Sequence, residues 1–109
     1  MIVNKEYSAT GLVFGHTWGG FDACLNTKGS LFGETKKEVL TKAKKGIMDG
    51  TLGTGDFEFL KGALLNLTTK STIVYEGIEF YRTDSELIFV GDLTDADKDF
   101  LLERFSNEF

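Results

Sequence analysis

T-G-L-V-F-G-H-T-W-G-G-F-D, from Thr10 to Asp22, sets four glycines among three aromatic rings and the single histidine of the chain. Before it, Glu6 to Phe14 alternates loosely and is rich in β-formers, and after it Phe21 to Leu25 makes a second short run. The spacing predicts a β-hairpin. Glycine accepts positive φ and lets other groups approach the main chain, and an aromatic face beside bare backbone can receive a flat ring. Two readings follow: a turn whose rings enter the core, or a shelf for a flat ligand.

Outward from the hairpin, Thr35 and Glu38 match a capping box, and Val39, Leu40, Ala43 and Ile47 share one helical stripe that stops near Gly50. This predicts a helix over 35–49. Its other face carries Lys36, Lys37, Lys42, Lys44 and Lys45, the pattern of a solvated face. D-G-T-L-G-T-G-D, Asp49 to Asp56, is expected to be a flexible surface loop, and it lacks the Lys-Ser/Thr ending of a phosphate-binding loop. Phe57 to Thr69 fits strand or short helix, with strand favoured from Ala63. Thr72 to Tyr75 and Ile78 to Arg82 flank the tight-turn pair Glu76-Gly77, and Glu86 to Val90 supplies a further strand. Thr94 with Asp97, and Asp95 in the first turn, begin a second helix over 95–107. The expectation is one α+β domain over 1–109: an antiparallel β-sheet of about five to six strands with two helices packed on it.

The 109 residues are 41% apolar and 27% charged, the makeup of one folded domain with a modest core. There is no basic leader followed by an apolar stretch, and no apolar run approaches the roughly 18 residues that cross a bilayer. No membrane partner and a cytoplasmic location are expected. The lone Cys24 cannot make an internal disulfide, which suits a reducing compartment and a packing role. A net charge of −5 opposes nucleic-acid binding, which draws its affinity from clustered Lys and Arg.

Catalytic patterns are sparse. One His and one Cys make no nucleophile–base pair at a recognisable spacing, so no catalytic residue is assigned. Asp92, Asp95, Asp97 and Asp99 lack the glycine and final glutamate of a calcium loop, so neither metal nor other cofactor is expected. Arginine occurs twice against ten lysines, and both arginines fall where an apolar residue would be expected. Strand alternation sets Arg82 on the face of Ile78 and Phe80, and helical spacing sets Arg104 beside Phe105, one turn after Phe100 and Leu101. Partly desolvated arginines would suit an anion, since the guanidinium fork matches phosphate or carboxylate with two parallel hydrogen bonds. The alternative is pairing with Glu79, Asp99 or Glu103.

A-T-G-L-V-F-G-H-T-W-G-G at Ala9 to Gly20, D-G-T-L-G-T-G-D-F at Asp49 to Phe57 and L-K-G-A-L-L at Leu60 to Leu65, in this order of elements, resemble the smaller anti-Thoeris sponge proteins. That phage family captures cyclic ADP-ribose signals made by bacterial TIR enzymes. In the family the first motif continues with small residues, glycines and a Tyr-Pro, whereas here Phe21-Asp22-Ala23-Cys24 follows and the chain has no proline. The resemblance implies a protein of the host cytoplasm that does no chemistry. It implies a cyclic ADP-ribose-type ligand, with cyclic dinucleotides as a further class, held between subunits of a dimer-based homo-oligomer up to a hexamer. By motif, the ligand-binding residues would be Phe14, His16, Trp18, Gly19 and Gly20, with Arg82 and Arg104 on phosphates. The rival reading is a small acidic inhibitor that covers a host enzyme through Phe32, Phe57, Phe59 and the acidic C-terminal helix.

Overall fold

The computed structural model describes residues 2–108. The chain forms β1 (Ile2–Thr17), β2 (Asp22–Asn26), β3 (Leu31–Gly33), α1 (Lys36–Met48), β4 (Phe57–Tyr75), β5 (Ile78–Gly91) and α2 (Asp95–Glu108). The five strands make one curled antiparallel sheet in the order β2-β1-β4-β5, with β3 also paired to β1. This is the expected α+β class.

The strand count agrees with the sequence, but the division differs. β4 starts at Phe57 and runs unbroken through Tyr75, and the two short strands expected after the Glu76-Gly77 turn are one strand, β5. Lys70, Asp84 and Ser85 interrupt the apolar pattern without interrupting the ladder, because backbone pairing needs no apolar side chain. β3 was not expected; three residues are too few for a periodic signal. Glu76 and Gly77 both take positive φ, 51° and 78°, as a two-residue turn with the twist of its flanking strands requires.

Side chains alternate across the sheet, so neighbours in sequence serve different cores. Val13, Ala63, Leu65, Leu67 and Val90 face α1 and pack on Val39, Ala43 and Ile47. Leu12, Phe14, Cys24 and Leu64 face the other way and pack on Leu101 of α2, flanked by Phe89, Leu93 and Phe105. Cys24 is buried there, in the packing role expected of it. Each helix is held by its cap. The Glu38 amide donates to Thr35 Oγ1 at 3.1 Å, and Thr94 and Asp97 cap reciprocally, each backbone amide donating to the other's side chain at 3.1 Å. The 49–56 link is not wholly a surface loop: Leu52 is buried in the α1 core, and its amide donates to the Gly46 carbonyl.

Where β4 and β5 meet near α2, Gly62 faces Gly91, which has φ 95°. A Cβ on Gly91 would stand 2.6 Å from Gly62 Cα, so this close approach requires glycine. Both helices cover the half of the sheet nearest this crossing. The outer halves of β4 and β5 continue as an arm, and the molecule extends 58 × 27 × 20 Å. Its radius of gyration is 15.8 Å, above the roughly 13 Å of a compact chain this long.

Leu101 is fully buried and anchors α2. Leu101→Ala is expected to cost about 2–5 kcal/mol, read as a lower urea midpoint. Met48→Gln, at a residue 89% exposed, is expected to leave the midpoint in place.

Candidate ligand-binding site

The β1–β2 hairpin turns through Trp18–Phe21. The Thr17 amide and hydroxyl both donate to the Phe21 carbonyl, at 2.9 and 2.8 Å, and the Gly20 amide donates to the Thr17 carbonyl at 3.0 Å. Gly20 takes φ 87°, which favours glycine, and a Cβ on Gly19 would meet the exposed Phe21 ring at 2.8 Å and turn it aside. The Trp18 amide donates to the Asp56 carbonyl, tying the turn to the link before β4. These constraints hold Trp18 and Phe21 out of the core, 69% and 60% exposed. They line a shallow cleft of about 510 Å³ with Ala23, Leu25, Gly55 and Asp56. The structure divides the two readings: Phe14 enters the core, whereas Trp18 and Phe21 stand outside it as a shelf.

A polar network stands beside the turn. His16 Nδ1 lies 2.9 Å from Asp22 Oδ1, and Lys61 Nζ lies 2.8 Å from Asp22 Oδ2. A carboxylate only accepts, so the histidine proton is on Nδ1. The His16 ring stacks on Phe59, with centroids 5.4 Å apart and planes 22° from parallel. Lys61 reaches this face because the register shifts: Phe14 pairs with Gly62 but Gly15 with Leu60, leaving Lys61 as the extra residue of a β-bulge. The Lys61 ammonium, and after it His16, hold the Asp22 carboxyl below its ordinary value of 3.8, and Asp22 in turn raises Lys61. Phe59 also lines a larger hollow of about 670 Å³ with Lys44, Ile47, Met48 and Asp92, where β4 runs past the end of β5.

The structure gathers His16, Trp18, Gly19 and Gly20 at one end of the sheet, but it does not bring every expected residue there. Phe14 is 6% exposed and meets the edge of Phe100 at 5.9 Å, so it is a core ring and cannot stack on a ligand. Arg82 is not desolvated: its side chain is 66% exposed and pairs with Asp84 at 3.1 Å, because no helix covers the arm. It stands opposite Ser71, whereas Thr17 stands opposite Phe57. The intervening stretch of β4 is roughly 46 Å long at about 3.3 Å per residue. Arg104 is likewise exposed, three residues after the buried Leu101. Neither arginine lines the cleft.

Asp22, Phe59 and Lys61 were not assigned to the site from the sequence. The available signal is the lysine inside the apolar run F-L-K-G-A, directly before a glycine that marks the bulge. Among the described residues no three of His, Cys, Asp and Glu gather as metal ligands, and no helix is long and apolar enough to cross a membrane. No protein-family profile, curated protein or solved structure matches the chain.

Because Asp22 titrates below its unfolded value, the network stabilises the fold fully above the ordinary carboxylate range and fades as pH falls through the lowered value. An NMR titration is expected to place the Asp22 midpoint below 3.8. Lys61→Ala is expected to raise that midpoint more than His16→Ala does. A wild-type midpoint at the ordinary value would contradict the network.

Proposed function

We propose that this protein captures a cyclic ADP-ribose-type signalling nucleotide, with cyclic dinucleotides as a further class, and releases it unaltered. One observation carries the proposal: the glycine turn presents Trp18, within the stretch that resembles the sponge family, and Phe21, just beyond it, as an exposed aromatic shelf. A purine stacks on such a shelf, at roughly 1–3 kcal/mol per base. The shelf's own charged group is Asp56, so a diphosphate needs cations from elsewhere. A second copy of the chain supplies them, through Arg104 or Arg82, which makes the binding unit a homo-oligomer.

The magnitudes favour this division of labour. Nanomolar capture takes about 12 kcal/mol. One or two stacked bases and two charged hydrogen-bonding arginines at roughly 1.5–3 kcal/mol each reach that scale only when the pocket is preformed. The turn is preformed, fixed by its backbone hydrogen bonds and by the Asp56 tie.

A second reading draws on the exposure of Phe32 and Phe59, 65% and 50%. These rings, with the acidic α2, would serve an inhibitor that covers a host enzyme by protein contact. Phe57, also expected on that surface, is buried beneath α1 and plays no part.

A thermal-shift and native-mass titration against cyclic ADP-ribose isomers and cyclic dinucleotides tests the proposal, with the ligand recovered by heat and checked for integrity. The expected result is a large shift and an intact ligand. Trp18→Ala and Arg104→Ala, both at exposed positions, are each expected to weaken binding at least tenfold without lowering the melting temperature of the free protein. No shift with any nucleotide would overturn the proposal in favour of a protein partner, and a cleaved ligand would make the protein an enzyme.

A further inference from the structure

We propose that two copies of this chain join edge to edge through β5, antiparallel, with Thr83 on the twofold axis. The sheet order leaves β5 on an outer edge, and its register with β4 runs from Gly62 opposite Gly91 to Tyr75 opposite Ile78 without a shift. Every residue from Ile78 to Leu87 is exposed. Such an edge offers a row of amide and carbonyl groups to another strand. Proteins guard long edges with proline, bulges, covering elements or charge. β5 contains no proline and no bulge, and the helices pack nearer the Gly62 end, so charge is the device present.

The pattern of that charge selects the partner. Arg82, Asp84 and Glu86 share one face of the strand, and residues that oppose each other across an antiparallel pair also share a face. An axis on Arg82 sets arginine against arginine. An axis on Asp84, Ser85 or Glu86 sets carboxylate against carboxylate. An axis on Tyr81 or nearer the turn pairs at most seven residues of each strand and sets no carboxylate opposite Arg82, and an axis on Leu87 sets Asp84 against the buried Val90. With the axis on Thr83, Arg82 opposes the partner's Asp84 and Asp84 opposes the partner's Arg82. Ile78, 59% exposed, then opposes the partner's Ile88, and the strands match without a break from Ile78 to Ile88. A sequence complementary to itself about one residue is what a twofold interface requires, because both sides present the same patch. Arg82 binds its own Asp84 through Nε alone, so its remaining guanidinium donors are open to the partner's Asp84.

The inference stands without the nucleotide reading. It assigns Arg82 to the subunit contact and leaves Arg104 as the arginine for a phosphate.

The test is a single cysteine at the axis in the full-length protein. Directly opposed residues in such a pair have Cα atoms about 4.5–5.5 Å apart, within disulfide reach. Thr83→Cys is expected to give a covalent dimer under mild oxidation. Ser85→Cys, whose two copies lie four positions out of step at roughly 13 Å, is expected to stay monomeric on a non-reducing gel. The buried Cys24 serves as the wild-type control. Light scattering supplies an independent reading: Arg82→Asp and Asp84→Arg alone are each expected to shift the mass to the monomer, and the double exchange to restore the dimer. Absence of a Thr83→Cys dimer, equal cross-linking at Ser85→Cys, or a monomeric wild type would overturn the interface. Nucleotide binding measured on the wild-type protein, whose mass light scattering gives independently, reports separately on the function proposed above.

Discussion

The pairing of β1 with β4 is the constraint on which the rest of the structure depends. It runs from Ile2 opposite Ile73 to Thr17 opposite Phe57, joins the two ends of the sheet and supplies both cores. Leu12 and Val13, adjacent in sequence, point into different cores, as do Leu64 and Ala63 across from them. A slip of one residue would exchange the two sets and leave α1 and α2 over the wrong side chains. The bulge at Lys61 is the point where this register is deliberately shifted, and the shift is what carries a lysine to Asp22 beside the turn. Fold and candidate site are therefore set by the same ladder.

The two helices cannot cover so long a ladder. α1 has 13 residues and α2 has 14, roughly 20 Å each at 1.5 Å per residue, whereas β4 alone has 19 residues and spans about three times that length. The part left over is polar in its middle, with Thr68, Thr69, Lys70 and Thr72, and apolar near its tip, with Tyr75, Ile78, Phe80 and Tyr81 exposed. Within the arm these side chains oppose one another across the ladder, Ile73 with Phe80 and Tyr75 with Ile78.

The elements most legible in the sequence were those that local chemistry determines. Thr35 with Glu38 and Thr94 with Asp97 marked both helix starts, Glu76-Gly77 marked the turn of the arm, and the glycine-aromatic segment marked the hairpin. Tertiary pairing was not legible. The continuity of β4 depends on β1, far away in sequence, and the burial of Phe14 depends on Phe100 at the other end of the chain. Alternation correctly gave Arg82 its face, but only the length of the helices decides whether that face is covered. The Asp22–Lys61 contact needs a bulge, and a lysine followed by glycine is too faint a mark to predict one.

The β1–β4 ladder also orders events in time. Each β1 residue must meet a partner from about 40 to 70 positions later in the chain, whereas β5 meets β4 through a two-residue turn. Such non-local closure places the protein among the slower-folding small domains, with the β4–β5 hairpin free to form first. On the ribosome, Leu12, Val13 and Phe14 emerge long before β4 exists to cover them. The nascent chain therefore passes through an interval in which β1 has only the short β2 and β3 to pair with, and a chaperone that binds extended apolar segments would find it there.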